Sequence, residues 1–247
     1  MATVLLLRHG RTTANASGEL AGRRPVELDD TGRTQAGRAG ERLRVLPLAG
    51  VVTSPLIRCR TTVELALPGT TAVVDEGLTE CGYGDWEGRP LKELAKEPLW
   101  PVVQAHPSAA VFPNGEAMAA MSARAVATVR RWDAAFTESH GPDALWVACS
   151  HGDVIKAIIA DAMGLHLDQF QRIVADPASV SVIRYTPTRS FVVRVNDCAD
   201  LTGLIPPPAK DGDRSDAVVG GGAPLDAAVG GDARSDAVVG GGAGGGV

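Results

Sequence analysis

Aromatic residues, lysines, paired cysteines and long apolar runs are all scarce in this chain, and each scarcity removes a class of protein. The four cysteines, Cys59, Cys81, Cys149 and Cys198, show neither CxxC spacing nor the density of a disulfide framework. They read as reduced thiols, with Cys149 buried in a strand. No segment approaches the ~20 apolar residues of a membrane span, and no basic region precedes the first apolar run, which is too short for a secretory leader. The cytoplasm is the default location, with no membrane partner. Positive charge is in deficit: 24 Lys plus Arg against 29 Asp plus Glu give a net charge of -5. Nucleic acid is therefore not an expected partner. HExxH and HxH are both missing, so the usual spacing of zinc ligands is absent and no metal is expected.

With lysine scarce, arginine carries the basic charge, and Arg8, Arg11, Arg23, Arg24, Arg58 and Arg60 crowd the first quarter of the chain. Guanidinium forks bind phosphate through two parallel hydrogen bonds, so such a cluster suits an anion pocket. For Arg11, Arg24 and Arg60 a solvated, salt-bridged surface explains the residue equally well.

Two stretches share one design. Val4-Leu5-Leu6-Leu7 reads as a strand buried on both faces and runs straight into Arg8-His9-Gly10-Arg11-Thr12. Ala144-Leu145-Trp146-Val147-Ala148-Cys149 does the same into Ser150-His151-Gly152-Asp153, and a helical pattern follows from Val154 to Met163, ended by Gly164. Buried strands that end in polar residues deliver them to the carboxyl edge of a sheet, where open α/β folds bind ligands. Two strands each followed by His-Gly suit two imidazoles meeting over one small anion.

Between and beyond these stretches, residues 10 to 30 read as a functional loop. A helix is expected from Thr31, as N-cap, to Leu46, weakened by Gly32, Gly37 and Gly40. Ala49 to Thr53 is a short strand. Ser54 is expected to cap the next helix with Pro55 in its first position. That puts Arg58 near the helix start, where the dipole disfavours a cation unless an anion binds there too. A third strand is expected over Thr71–Val74, a proline-broken excursion from Glu97 to Asn114, and a long helix from Gly115 to Ser139 with Met118, Met121, Val126 and Val129 on its buried side. Ser179–Tyr185 and Phe191–Val195 read as a hairpin. Near Pro206 the composition changes: Arg214 to Ala223 returns unaltered from Arg234 to Ala243, rich in Gly and free of aromatics. The domain reading is a catalytic unit over 1–204 and a low-complexity tail over 205–247, too poor in apolar bulk to offset the entropy of ordering and expected to be disordered.

Taken together, Arg8-His9-Gly10-Arg11-Thr12 with Asn15, Ser54-Pro55-Leu56-Ile57-Arg58-Cys59-Arg60-Thr61, Glu80 ahead of Gly84-Asp85-Trp86-Glu87-Gly88, and Ser150-His151-Gly152 resemble the histidine phosphatase superfamily, the group of the cofactor-dependent phosphoglycerate mutases. Residues 89–100 and 170–177 are similar to an actinobacterial phosphomutase or phosphatase branch. The resemblance implies a three-layer α/β sandwich with a mostly parallel central sheet flanked by helices. It also implies His9 as a nucleophile forming a phosphohistidine, with Arg8, Arg58, His151 and Gly152 around the phosphoryl oxygens and Asn15 as a neutral donor, although Asn15 serves as readily to cap the next turn. Glu80 holds the general-acid position, with Tyr83 and Trp86 available to raise its pKa. Asp75, Glu76, Asp85 and Glu87 compete as ordinary loop acids. Asp153 also competes, except that Gly152 separates it from His151, unlike the branch with an aspartate directly after the histidine. His106, His140 and His166 receive no role.

The expected function is hydrolysis of the phosphomonoester of a small metabolite without a cofactor. The alternatives are a phosphoglycerate-type mutase and a non-catalytic phosphate-binding module. A free sheet edge is compatible with a homodimer.

Overall fold

The computed structural model describes residues 1–199. The expected tail over 205–247, and the boundary at 204, lie outside the described residues. Six strands form one sheet: β1 (Thr3–Arg8), β2 (Leu48–Thr53), β3 (Val73–Val74), β4 (Leu145–Ser150), β5 (Val180–Tyr185) and β6 (Ser190–Asp197). Their order is β3-β2-β4-β1-β5-β6. β1, β2, β3 and β4 run parallel, while β5 is antiparallel to β1 and pairs with β6 as the expected hairpin.

The strand alternation sorts side chains into two cores. Val4 and Leu6 join Val52, Trp146 and Ala148 on one face of the sheet, whereas Leu5 and Leu7 join Val51, Val147 and Cys149 on the other. The first face is covered by α6 (Met118–His140), through Met118, Met121, Ala125 and Val129, and by α7 (Gly152–Ala162). The second is covered by α2 (Asp30–Leu43) through Ala39 and Leu43 and by α3 (Ile57–Ala66) through Cys59, Val63 and Ala66. This is the expected three-layer sandwich. α7 is buried from Gly152 to Ala160 on every side, which is why that stretch is apolar apart from Asp153 and Lys156, which face each other. The remaining helices are short: α1 (Thr13–Ser17), α4 (Leu91–Leu94) and α5 (Trp100–Ala105).

Three local expectations are corrected. The N-cap of α2 is Asp29, not Thr31: its carboxylate accepts the Gly32 N–H at 2.7 Å, and the helix ends at Leu43 rather than Leu46. α3 starts at Ile57 with Leu56 as N-cap, so Ser54 does not cap it and Pro55 is not its first residue. The Ser54 hydroxyl is instead drawn to a buried imidazole, as described below. α6 begins at Met118, after a turn through Asn114 and Gly115 that returns the chain to the segment following Glu80.

Gly32 does not weaken α2 but permits its position. A Cβ there would lie 1.9 Å from the Arg11 carbonyl oxygen, and one on Gly10 would lie 2.3 Å from the Gly32 oxygen, so helix and loop backbones touch directly. Gly37, in the same helix, faces open space. Gly32→Ala should therefore destabilise the fold by about 1–3 kcal/mol through overpacking. Gly37→Ala should stabilise it by about 0.5–1 kcal/mol through helix propensity. Urea unfolding of the two variants checks the opposite signs.

Candidate active site

The strands β1, β2 and β4 end together at one edge of the sheet. Arg8 pairs in register with Ser150. The His9 N–H continues that ladder to the Ser150 carbonyl at 3.0 Å, and the Ser54 N–H reaches the Cys149 carbonyl at 2.9 Å. Parallel pairing in this register places the residue after β1 beside the residue after β4. The rings of His9 and His151 consequently lie 5.2 Å apart, centroid to centroid.

Each imidazole is held in a defined state. His9 Nδ1 sits 2.8 Å from the Gly10 carbonyl oxygen. A carbonyl only accepts, so Nδ1 carries the hydrogen and Nε2 keeps its lone pair. Burial and the charges of Arg58 and Arg8 hold the His9 pKa well below its ordinary value, keeping the ring neutral. His151 is neutral for the same reasons, burial first and then Arg58. Arg58 Nε donates to its Nδ1 at 3.2 Å, and a guanidinium accepts nothing, so the hydrogen is on Nε2 and points to Ser54 Oγ at 2.7 Å.

Arg58 lies in the first turn of α3, as expected, and its other nitrogens donate to the carbonyls of Gly22 at 2.6 Å and Arg24 at 3.1 Å. Arg8 is fully buried and donates through Nη1 to the Ala175 carbonyl at 2.6 Å. A cleft of about 400 Å³ opens on His9, Thr12, Asn15, Arg58, Glu80 and Tyr83, with Leu20 and Leu91 in its wall. Arg8, His151 and Gly152 are not in that wall. They stand behind it, with the His151 nitrogens engaged by Ser54 and Arg58. Asn15 takes the capping role: its Oδ1 accepts the Thr12 N–H at 3.0 Å in a capping box at the start of α1, and the residue also lines the cleft.

Glu80 is buried beside this cleft, with Oε1 accepting the Cys81 N–H at 3.0 Å. Burial, then the nearby charge of Asp153, push its pKa up to about 7 against the opposing pull of Arg58. None of its sequence competitors lines the cleft. Asp75 is bound by Arg131 and the Trp132 indole, Glu76 accepts from Thr79, Asp85 from Asn114, and Glu87 from the Tyr83 N–H. Asp153 is fully buried, takes the Tyr83 hydroxyl at 2.7 Å and faces Lys156 Nζ at 3.4 Å, and so serves as an internal counterion. His106 and His166 flank Asp168 away from the cleft, and Arg11 is spent on Asp29. Trp86 is packed on Phe112 in the core.

Sequence reasoning missed Ser54 as the His151 partner and the Tyr83–Asp153–Lys156 group. A signal for the latter existed: Lys156 is a lone cation inside the apolar run of α7, three residues after an acid.

The family model described as histidine phosphatase superfamily (branch 1) matches residues 4–198. The chain belongs to the histidine phosphatase superfamily. It is 36% identical over 183 residues to an acid phosphatase of Mycobacterium tuberculosis, covering 72% of this chain and 84% of that protein. It is 31% identical over 186 residues to a protein of Erwinia tasmaniensis named "Probable phosphoglycerate mutase GpmB", covering 73% and 84%. Among solved structures, a mycobacterial glucosyl-3-phosphoglycerate phosphatase in complex with VO3 aligns with a TM-score of 0.70 at 27% identity, over 79% of this chain and 98% of that one. This histidine phosphatase is thus an enzyme of the phosphatase or mutase type, and His9 fits the superfamily's catalytic histidine.

The folded chain keeps on Glu80 a proton that an unfolded carboxyl releases near 4.5, so this group costs stability as pH rises from there through about 7, by roughly 3 kcal/mol in full. A general acid at Glu80 would lose its proton above about 7, so turnover of alkyl phosphates should then fall along a basic limb set there. Asp153→Asn removes a like charge and should move that limb toward lower pH. A kcat profile from pH 5 to 9 for both proteins measures the displacement and its direction.

Proposed function

We propose that this histidine phosphatase hydrolyses the phosphomonoester of a small metabolite through a phosphohistidine on His9. The observation that carries the reading is the pairing of a neutral, tautomer-fixed His9 with a protonated Glu80 at the same cleft. The His9 Nε2 lone pair forms the N–P bond as the ester P–O bond breaks, and the departing alkoxide takes the Glu80 proton. The Glu80 carboxylate then accepts a proton from water, whose oxygen displaces His9 and leaves inorganic phosphate. A phosphoryl group in transfer spreads its charge over three oxygens, so most of the catalysis is positioning and charge stabilisation. Arg58 and the Asn15 amide contact these oxygens from the wall. Arg8, His151 and the Gly152 N–H add positive potential from behind.

Hydrolysis is favoured over mutase action by the shortness of the segment between Gly88 and Gly115, which holds two short helices, α4 and α5, and reaches the cleft wall only through Leu91. A mutase must keep water from its phosphoenzyme while the substrate turns around. The acid phosphatase and glucosyl-3-phosphoglycerate phosphatase relatives support the same choice. The Leu20 and Leu91 walls suit a compact organic leaving group. Among the described residues no three His, Cys, Asp or Glu side chains gather as metal ligands, and no helix is long and apolar enough to cross a membrane. The guanidinium groups beside both histidines, which would repel a cation, and the net charge of -5 support our proposal of a metal-independent cytoplasmic enzyme acting on neither nucleic acid nor membranes.

Acid-quench trapping with a labelled phosphomonoester should capture phosphoenzyme on the native chain and none on His9→Ala. Glu80→Gln should lower kcat on an alkyl phosphate by about 100- to 10,000-fold and on p-nitrophenyl phosphate far less, because nitrophenolate leaves without a proton. Label retained by His9→Ala refutes the nucleophile. Rapid 3-phosphoglycerate exchange with a bisphosphoglycerate primer, outpacing phosphate release, refutes hydrolysis as the main reaction.

A further inference from the structure

The backbone that carries Glu80 is gripped from two sides. Arg124, from α6, donates through Nη1 to the carbonyls of Gly77 at 3.0 Å and Thr79 at 2.7 Å, and through Nη2 to the Glu80 carbonyl at 3.1 Å. The same guanidinium holds Glu116 with both ends of its fork, Nε to Oε1 at 2.7 Å and Nη2 to Oε2 at 2.9 Å. Glu116 Oε2 also accepts the Gly82 N–H at 3.2 Å and Arg23 Nη2 at 3.0 Å. Arg23 completes the ring by donating from Nε to the Glu80 carbonyl at 3.1 Å. Two cations thus converge on one peptide oxygen, that of Glu80, with one carboxylate between them. Arg23 stands between Gly22 and Arg24, whose carbonyls hold Arg58.

We infer that Arg23, Glu116 and Arg124 form a clamp that positions Glu80 against the leaving group and ties the acid to the phosphate-binding guanidinium of Arg58. The clamp residues are positioning residues, and the inference rests on Glu80 being the general acid proposed above. The physical need is clear. A carboxyl that must meet a departing oxygen at hydrogen-bond distance sits on a strandless segment between two one-turn helices, at 76–78 and 84–86, with no ladder to fix it. Bidentate arginine supplies the missing rigidity, since its planar fork loses less entropy per bond than a lysine would. Acid placement is sensitive, because a 1 Å error can cost on the order of 100-fold in rate.

The test compares Arg23→Met, Glu116→Gln, Arg124→Met and Arg124→Lys with Glu80→Gln, each on an alkyl phosphate and on p-nitrophenyl phosphate. Arg23 is about half exposed, at 46% of its side chain, so its variant folds even if removal of Arg124 does not. The clamp variants should lose about 10- to 100-fold in kcat on the alkyl ester and less than about 3-fold on the aryl ester, with Arg124→Lys between Arg124→Met and the native enzyme. Equal losses on the two esters, or no loss, overturn the clamp while Glu80→Gln still discriminates. If Glu80→Gln itself lowers both equally, the acid assignment fails and the clamp falls with it.

Discussion

Two guanidinium groups held out of water behind the ends of three parallel strands are the constraint on which this site depends. A buried charge is expensive unless its donors are met. Here the partners are backbone carbonyls: Ala175 for Arg8, and Gly22 and Arg24 for Arg58. These bonds do two things at once. They offset the desolvation of the cations, and they fold the loop after β1 across the sheet edge so that it walls the cleft. Burial, joined by the same positive charge close to both imidazoles, keeps them neutral and so preserves the Nε2 lone pair of His9.

Acid chemistry in so cationic a place requires an opposing influence. Arginines pull the Glu80 proton off, and burial together with the Asp153 carboxylate puts it back. The Asp153 carboxylate in turn accepts the Tyr83 hydroxyl and faces Lys156. The protonation state of Glu80 is therefore decided by burial first and then by the Asp153 carboxylate in the helix after β4, while its backbone carbonyl is held by the Arg23–Glu116–Arg124 ring. One side chain, two separate supports.

Much of this was legible along the chain. The apolar runs before His9 and His151 announced buried strands and a shared edge, and the arginine cluster announced an anion. The misreadings have a common origin. Ser54 followed by proline has the form of a helix cap, yet its hydroxyl had a better partner 97 residues away in the His151 ring, and a buried imidazole outbids a solvated helix start. The glycines of α2 lower its intrinsic propensity, yet tertiary contact required them, because backbone meets backbone at Gly32. The three arginines left open also separated: Arg11 went to Asp29, Arg24 contributes its carbonyl to Arg58, and Arg60 is exposed.

Residue order alone determined the buried strands, the two strand ends that bear histidine and the arginine cluster suited to an anion, because hydrophobic periodicity and side-chain type are local properties; the three layers and the phosphoryl-transfer chemistry were implied by the resemblance to the histidine phosphatase superfamily. Only the folded chain decided which groups face the cleft and which stand behind it, which nitrogen of each imidazole carries the hydrogen, and why the Glu80 carboxyl holds its proton up to about 7. Those outcomes depend on burial and on charges brought together across long stretches of chain, and neither quantity exists until the sheet has closed.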